Sequence, residues 1–113
     1  MNKTAKEWFD LGVEEKDPAK KVEYYIKCLE IDPKDAGAWY MKEIALRKLK
    51  QYEKAIECYD KVLEIDPKDA YAWNNKGFVL TELKQYEKAI ECYDKALEID
   101  SKHEIAKKNK KLI

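Results

Sequence analysis

The chain has 113 residues, and its 23 basic and 23 acidic side chains give a formal net charge of zero. This length corresponds to one small domain, and the balanced charge argues against a protein that binds nucleic acid. No apolar run approaches the roughly 20 residues of a membrane helix. Met1 to Asp10 also lacks the pattern of a signal peptide, so we expect neither membrane insertion nor export.

The first predicted pair of helices covers about residues 2–35. Its first helix begins around Trp8, and its second ends at Pro33. Between them, Asp17 suits a helix N-cap and Pro18 suits the first helical position. Trp8 to Pro33 spans 25 positions, whereas the corresponding stretch of the next repeat spans 28, so the first helix of this pair is predicted to be truncated.

The next two segments repeat one another. Ala36–Asp69 and Ala70–His103 align without a gap at a period of 34, and 23 positions are identical, which indicates an internal duplication. Apolar residues recur at helical spacing in two successive stretches of each repeat, so each is predicted to form two amphipathic helices. In the first of these repeats the stripes comprise Trp39, Leu46 and Leu49, then Ala55, Tyr59 and Val62.

Prolines and aspartates mark the turns between the repeats. Pro33 and Pro67 stand where a helix cannot continue. Asp35 and Asp69 follow them at positions suited to cap the next helix. The sequence therefore predicts helices that alternate with tight turns.

Residues 102–113 are predicted to form a last helix that caps the stack. Ile105 and Leu112 lie seven residues apart on one side of it, and lysines occupy most other positions. Stacked repeats expose the apolar face of their last unit, so a terminal helix with a polar outer side is expected. The lysines also leave open a contact with an acidic partner, although cations near a helix C-terminus commonly complement its dipole.

The residues of each 34-residue repeat resemble the tetratricopeptide repeat (TPR) family, whose pattern is Trp-x-x-Leu-Gly-x-x-Tyr, then Ala-x-x-x-Phe, then Pro. The resemblance implies an all-α fold. It would be an α-solenoid of three TPR-like helix-turn-helix repeats, the first truncated, plus a C-terminal capping helix, in a single TPR domain of residues 1–113. The matching residues are Trp39, Leu46, Ala55, Tyr59 and Pro67 in the second repeat and Trp73, Gly77, Leu80, Ala89 and Tyr93 in the third.

Five positions depart from the family pattern. Glu43 replaces the small residue that lets the paired helices approach each other. Lys42 and Lys76 replace an apolar residue, and Lys50 and Lys84 stand at the usual turn glycine. These departures predict looser packing than in a consensus repeat.

The resemblance also implies a function. In proteins that this chain resembles, the first helix of each repeat lines a concave groove that holds a peptide or partner segment. This implies a protein–protein interaction module, a scaffold or adaptor, without enzymatic activity. The partner would be another protein or peptide, with no nucleic acid and no membrane.

The differences between the two full repeats point independently to the same surface. Eight of the eleven differing positions fall in the first helix, and six of them, at 37, 40, 41, 44, 47 and 48, follow one helical face. Residues that only hold a stack should repeat, whereas residues that meet an asymmetric ligand need not; neutral drift of a solvated face gives the same pattern. The predicted peptide-binding groove comprises Phe9, Val13, Tyr40, Met41, Ile44, Tyr71, Asn74, Asn75 and Phe78.

This predicted groove is mostly apolar and aromatic. One branch of the TPR family grips the C-terminal carboxylate of heat-shock chaperones with lysine, asparagine and arginine. The matching slots here hold Phe9, Val13, Met41, Tyr71 and Asn75, so only an asparagine remains where a cation would be needed. We therefore expect an apolar or amphipathic peptide segment. Two alternatives stay open: Phe9 and Val13 belong to the core, or the groove accepts Met1 to Glu15 or the capping helix of another copy, giving a homodimer or domain swap.

No catalytic, metal-binding or cofactor-binding pattern stands out. His103 is the only histidine and is expected to be exposed before the last helix. Cys28, Cys58 and Cys92 are odd in number and widely spaced, which favours buried hydrophobic thiols over disulfides or a zinc site. We expect no cofactor, no metal and a reducing, cytoplasmic location.

Overall fold

The computed structural model describes residues 2–113, and this part of the chain forms seven α-helices and no strand. None of these helices has the length and the apolar character needed to cross a bilayer. The helices are α1 (Ala5–Glu14), α2 (Pro18–Ile31), α3 (Ala36–Lys48), α4 (Tyr52–Ile65), α5 (Ala70–Glu82), α6 (Tyr86–Ile99) and α7 (Glu104–Lys111).

Side-chain caps fix where the helices begin. Asp17 caps α2 by accepting a hydrogen bond from the Ala19 amide at 3.2 Å, and Pro18 follows at the first helical position. Asp35 and Asp69 cap α3 and α5 in the same way, accepting from amides three residues further on at 3.1 and 3.0 Å. The caps predicted at these three aspartates are confirmed.

The truncation of the first repeat is also confirmed. Helix α1 has 10 residues, whereas α3 and α5 each have 13. Its start is closed by a capping box, in which Thr4 Oγ1 accepts from the Glu7 amide at 3.1 Å and Glu7 Oε1 accepts from the Thr4 amide at 3.0 Å. Its end is set by Glu15, whose backbone is extended.

The chain divides into two compact units, of which the first ends at Lys61. In this unit α2 packs against both α1 and α3. Its buried side chains form two clusters, one on α2 and α3 and one on α3 and α4. The first cluster comprises Cys28, Leu29 and Ala38, and the second comprises Leu46, Ala55 and Cys58 with Val22 and Trp39 packed against it.

The second unit begins at Val62, and in it α6 packs against α5 and α7. Helix α7 docks through Ala106, which is fully buried, and through an ion pair in which Lys110 Nζ lies 2.7 Å from Asp94 Oδ1. Ile105 and Leu112, the apolar positions predicted for this helix, are instead 53% and 75% exposed. The small alanine makes the contact because it lets α7 approach closely, and the large apolar residues point away from it.

Two lysines adopt the left-handed backbone conformation at the ends of α3 and α5. Lys50 has φ of 59° and Lys84 has φ of 61°. At the first of these turns the Lys50 amide donates to Arg47 O and the Gln51 amide donates to Leu46 O, both at 2.9 Å, which is the Schellman pattern. Glycine is the usual residue there because a Cβ atom is strained at positive φ.

Replacing Lys50 by glycine should therefore stabilise the protein. We expect Lys50→Gly to raise the free energy of unfolding by about 0.5 to 1 kcal/mol, which is the relief of strain less the added entropy of the unfolded chain. Lys50→Ala, which keeps the Cβ atom, is the control and should give no gain. Urea denaturation followed by circular dichroism measures both, and equal effects of the two substitutions would contradict this explanation.

Candidate functional site

The predicted groove residues fall on the first helices of the three repeats. Val13 on α1, Ile44 on α3 and Phe78 on α5 occupy the same position in their repeats, five residues after the tryptophan that each repeat carries. Their exposed fractions are 47%, 37% and 41%. Each repeat therefore presents one large apolar side chain to solvent at this position.

Phe9 lies partly in the core, as one of the alternatives anticipated. Its ring centroid is 5.9 Å from that of Tyr25, and it packs against the buried cluster that includes Cys28. Val13, one turn further along α1, is exposed. The core interpretation therefore holds for Phe9 and not for Val13. Tyr40 and Met41 on α3 are half-buried.

The structure buries Asn74, which the sequence assigns to the groove. Its side chain is 3% exposed, and Asn109 of α7 donates to Asn74 Oδ1 at 3.2 Å. Asn75 beside it stays half-buried and accepts from Asn74 Nδ2 at 3.4 Å. A ligand could reach the Asn74 amide only by displacing α7, so in this structure Asn74 serves the docking of that helix.

Tyr71 is exposed, as predicted, and its ring lies beside His103, which is buried. Tyr71 is 64% exposed, and its ring centroid lies 4.9 Å from that of His103. His103 is only 5% exposed because it caps α7, with Nδ1 accepting from the Ala106 amide at 3.2 Å. The prediction of an exposed His103 is wrong, since the cap turns the imidazole inward.

One tyrosine of each second helix lies over the first helix of its own repeat. Tyr25 and Tyr93 lie over Gly12 and Gly77, where a Cβ atom on Gly77 would come within 2.7 Å of the Tyr93 ring. The Tyr93 hydroxyl lies 3.3 Å from Thr81 Oγ1. In the described part of the chain the Tyr25 hydroxyl has no hydrogen-bond partner. The repeats thus share a packing position and differ in how they satisfy the hydroxyl group.

In the second repeat the equivalent tyrosine is Tyr59, and it contacts Glu43 in place of a glycine. The Tyr59 hydroxyl donates to Glu43 Oε2, and Arg47 Nε lies 2.9 Å from the same oxygen. Glu43 is 1% exposed. Burial raises the pKa of its carboxyl group, opposed by the tyrosine hydrogen bond and the arginine charge, and burial also raises the pKa of Tyr59. The glutamate therefore fills the position of the small residue with a partnered polar group.

These contacts give several of the differences between the repeats a packing explanation. Glu43 and Arg47 act together on Tyr59, and their counterparts Gly77 and Thr81 act together on Tyr93. The pair at position 40/74 differs because Asn74 bonds α7. The difference between Ile44 and Phe78 has no packing explanation of this kind, because both side chains are apolar and exposed to solvent.

Arg47 adds a cation beside the predicted groove that the sequence reasoning left out of the site. It is the single arginine of the chain, and its side chain is 31% exposed. The spacing of four residues between Glu43 and Arg47 is the signal that could have indicated the pair.

The three cysteines are free and buried. Burial raises the pKa of Cys28 to about 11, with help from Asp35, and that of Cys58 to about 12. Both thiols therefore stay protonated at neutral pH and behave as small hydrophobic groups. No cluster of potential metal ligands occurs within residues 2–113.

Sequence models of the tetratricopeptide repeat match residues 10–35, 24–57 and 70–103, and a model of the TPR repeat matches residues 45–83. Together these matches extend from residue 10 to residue 103. The chain therefore belongs to the tetratricopeptide repeat family. No curated protein sequence matches it.

Solved structures agree with this assignment. YrrB, a TPR protein with an unusual peptide-binding site, is 26% identical with a TM-score of 0.87, over 97% of this chain and 58% of YrrB. MamA is 22% identical with a TM-score of 0.87, over 96% of this chain and 65% of MamA. The chain thus spans less than two thirds of either protein.

A third structure is similar over most of its own length. The first TPR of Spaghetti (RPAP3), bound to the HSP90 peptide SRMEEVD, is 17% identical with a TM-score of 0.85, over 96% of this chain and 89% of that domain. The predicted all-α solenoid class of helical repeats is confirmed.

The buried carboxyl group predicts unequal costs for two matched substitutions. Tyr59→Phe removes the hydroxyl donor of the buried Glu43 and should cost about 1.5 to 3 kcal/mol of unfolding free energy. Tyr93→Phe removes only a long contact with the neutral Thr81 hydroxyl and should cost about 1 kcal/mol or less. Denaturant titrations of both variants measure the difference, and equal losses would show that Glu43 does not depend on Tyr59.

The raised pKa of Glu43 also predicts a pH dependence. Between the ordinary value of 4.5 and the higher folded value, the folded protein binds more protons than the unfolded chain. The stability of the wild type relative to Glu43→Gln should therefore fall as the pH rises through this window and level off above it. Chemical denaturation of both proteins over a pH series tests this, and a difference that grows with pH would contradict the direction of the shift.

Proposed function

We propose that this protein is a non-catalytic interaction module that holds an apolar or amphipathic peptide segment against its first helices. The observation that carries the proposal is the exposure of Val13, Ile44 and Phe78 at one equivalent position of the three repeats. Solvent-exposed large apolar side chains that recur at one position are typical of an interaction surface. Tyr40, Met41, Tyr71 and Asn75 extend these faces, and Phe9 borders them.

The chemistry of this surface favours an apolar ligand over an anionic chain end. The Spaghetti (RPAP3) domain binds the acidic peptide SRMEEVD. Here the matching slots carry Phe9, Val13, Met41, Tyr71 and Asn75, and the nearby Arg47 is paired with buried Glu43. An amphipathic helix or extended segment would instead place a few apolar anchors on these faces, with an affinity on the order of micromolar.

A second candidate function is self-assembly through the same faces. The observation that favours it is the exposure of Ile105 on α7 and of Leu112 directly after it, because this last segment then offers apolar side chains to another copy. The exposed faces of the first helices would accept that segment, giving a homodimer or a domain swap.

A reducing, cytoplasmic location suits either function. All three cysteines are free and buried, and free thiols persist where glutathione and thioredoxin keep them reduced. TPR family membership supports a module without catalytic activity.

Two double variants with similar starting exposure distinguish the candidates. Ile44→Lys/Phe78→Lys changes the proposed surface, and Ile65→Lys/Ile99→Lys changes apolar residues of 40% and 38% exposure at the ends of α4 and α6. Light scattering coupled to size-exclusion chromatography measures the mass of each protein, with circular dichroism as the folding control. We expect a monomeric wild type, and a dimer that only the first variant abolishes would favour self-assembly.

Selection from a random peptide library tests peptide binding directly. We expect enriched peptides to share apolar anchor residues. Their affinity should fall about tenfold or more on Ile44→Lys/Phe78→Lys, because each lysine places a charge against an apolar anchor. Ile65→Lys/Ile99→Lys should bind them as the wild type does. A library without enrichment, or equal losses in both variants, would overturn the proposed function.

A further inference from the structure

The first unit contains a cavity of about 330 Å³ between α2, α3 and α4. Its floor is formed by Leu46 and Cys58, which are 2% and 1% exposed. Its walls are apolar and comprise Val22, Ile26 and Trp39. This volume lies at the lower end of the range of ligand sites in proteins.

This cavity is separate from the surface of the proposed function. On α3 it is lined by Trp39 and Leu46, whereas Ile44 belongs to the predicted groove. At about 100° per residue, Ile44 lies on roughly the opposite side of the helix from both. Occupation of the cavity therefore leaves the Ile44 face accessible.

The aromatic wall of the cavity is held in place before any ligand arrives. Trp39 Nε1 donates to Pro33 O at 2.8 Å, which fixes the indole ring. Lys42 Nζ lies 5.0 Å from the centroid of that ring, in a cation–π contact. A wall that is already ordered reduces the entropy lost on binding.

The rim of the cavity is positively charged. Lys42, Lys54 and Lys61 line it, with Glu57 as the single acidic residue, so its formal charge is +2, three lysines less one glutamate. The chain as a whole has a net charge of zero. An apolar floor inside a basic rim is complementary to an apolar group that has acidic neighbours.

At the position of Ile26, which lines this cavity, the other two repeats carry a different type of residue. Ile26 is 39% exposed, and the equivalent positions of the second and third repeats are Asp60 and Asp94. Ile26 is therefore an apolar residue of the cavity wall at a position that is acidic in the other two repeats.

We propose that this cavity is a second docking site, which accepts one bulky apolar side chain of a partner polypeptide whose neighbouring residues are aspartate or glutamate. The apolar anchor rests on Leu46 and Cys58 against the Trp39 ring. The acidic neighbours pair with Lys54 at the rim. The site does not depend on the proposed groove, and the two can be occupied together.

Three short peptides and one small amphiphile serve as probes. The first peptide, acetylated and amidated, has a central leucine between acidic residues. The second replaces the leucine by alanine, and the third replaces the acidic residues by asparagine and glutamine. Octanoate represents a free apolar carboxylate. Binding is followed by the shifts of backbone amides and of the Trp39 indole N–H in two-dimensional NMR spectra.

We expect the leucine peptide to shift the Trp39 indole resonance and the amides around Leu46, with a dissociation constant in roughly the high micromolar range that suits a small contact. The alanine and the uncharged peptides should bind about tenfold more weakly. Shifts centred on Ile44 and Phe78, or no shifts at all, would overturn the proposal. Octanoate that saturates the cavity while no peptide binds would overturn it in favour of a small amphiphile.

Matched variants identify the residues involved. Ile26→Asp adopts the residue of the other two repeats, so the fold is retained, and it should weaken the leucine peptide about tenfold or more by placing a charge in the apolar wall. Lys54→Glu should weaken it as well, whereas Lys88→Glu, in the identical segment of the third repeat, should not. Ile44→Lys should also leave binding unchanged. Equal effects of Lys54→Glu and Lys88→Glu would contradict a site at this cavity.

Discussion

Each repeat depends on the contact between one tyrosine of its second helix and one position of its first helix. At Gly12 and Gly77 the tyrosine ring occupies the space that a side chain would need. At Glu43 the same space holds a carboxylate, which Tyr59 and Arg47 satisfy. The distance between paired helices is thus set by close van der Waals contact in the outer repeats and by a buried polar group in the middle one. The surface that each first helix presents follows from this spacing.

The middle repeat shows how a polar group can replace a glycine in such a contact. A buried carboxylate is costly when it is left alone, and its cost falls when donors reach it. A tyrosine stands at this position in all three repeats, as Tyr25, Tyr59 and Tyr93, so the additional requirement is a residue one turn after position 43. Arg47 meets it in the second repeat, and Thr81 supports the Tyr93 hydroxyl in the third. The departure from a small residue at Glu43 predicts looser packing, but the structure shows a compact polar contact there.

Local signals explain why most of the fold could be predicted from the sequence. The aspartate caps, the shortened α1 and the seven helices all follow from residues within a few positions of one another. The burial of Asn74 could not be predicted in this way, because it depends on where α7 docks and on Asn109, 35 residues away. The burial of His103 involves both kinds of contact, since its cap on the Ala106 amide is local and the Tyr71 ring that lies beside it is distant in sequence. For the candidate site, the exposed residues Val13, Ile44 and Phe78 were accessible to pattern analysis, whereas the cavity beneath Trp39 required the arrangement of three helices.

The buried thiols make local opening of the folded protein measurable by chemical modification. Cys28 and Cys58 belong to the first unit and Cys92 to the second, and all three are shielded from solvent in the folded state. Since only an exposed thiolate reacts readily, alkylation of each cysteine must wait until its surroundings open. The reaction rates at the three positions therefore report how readily the structure opens around each cysteine, without any introduced label.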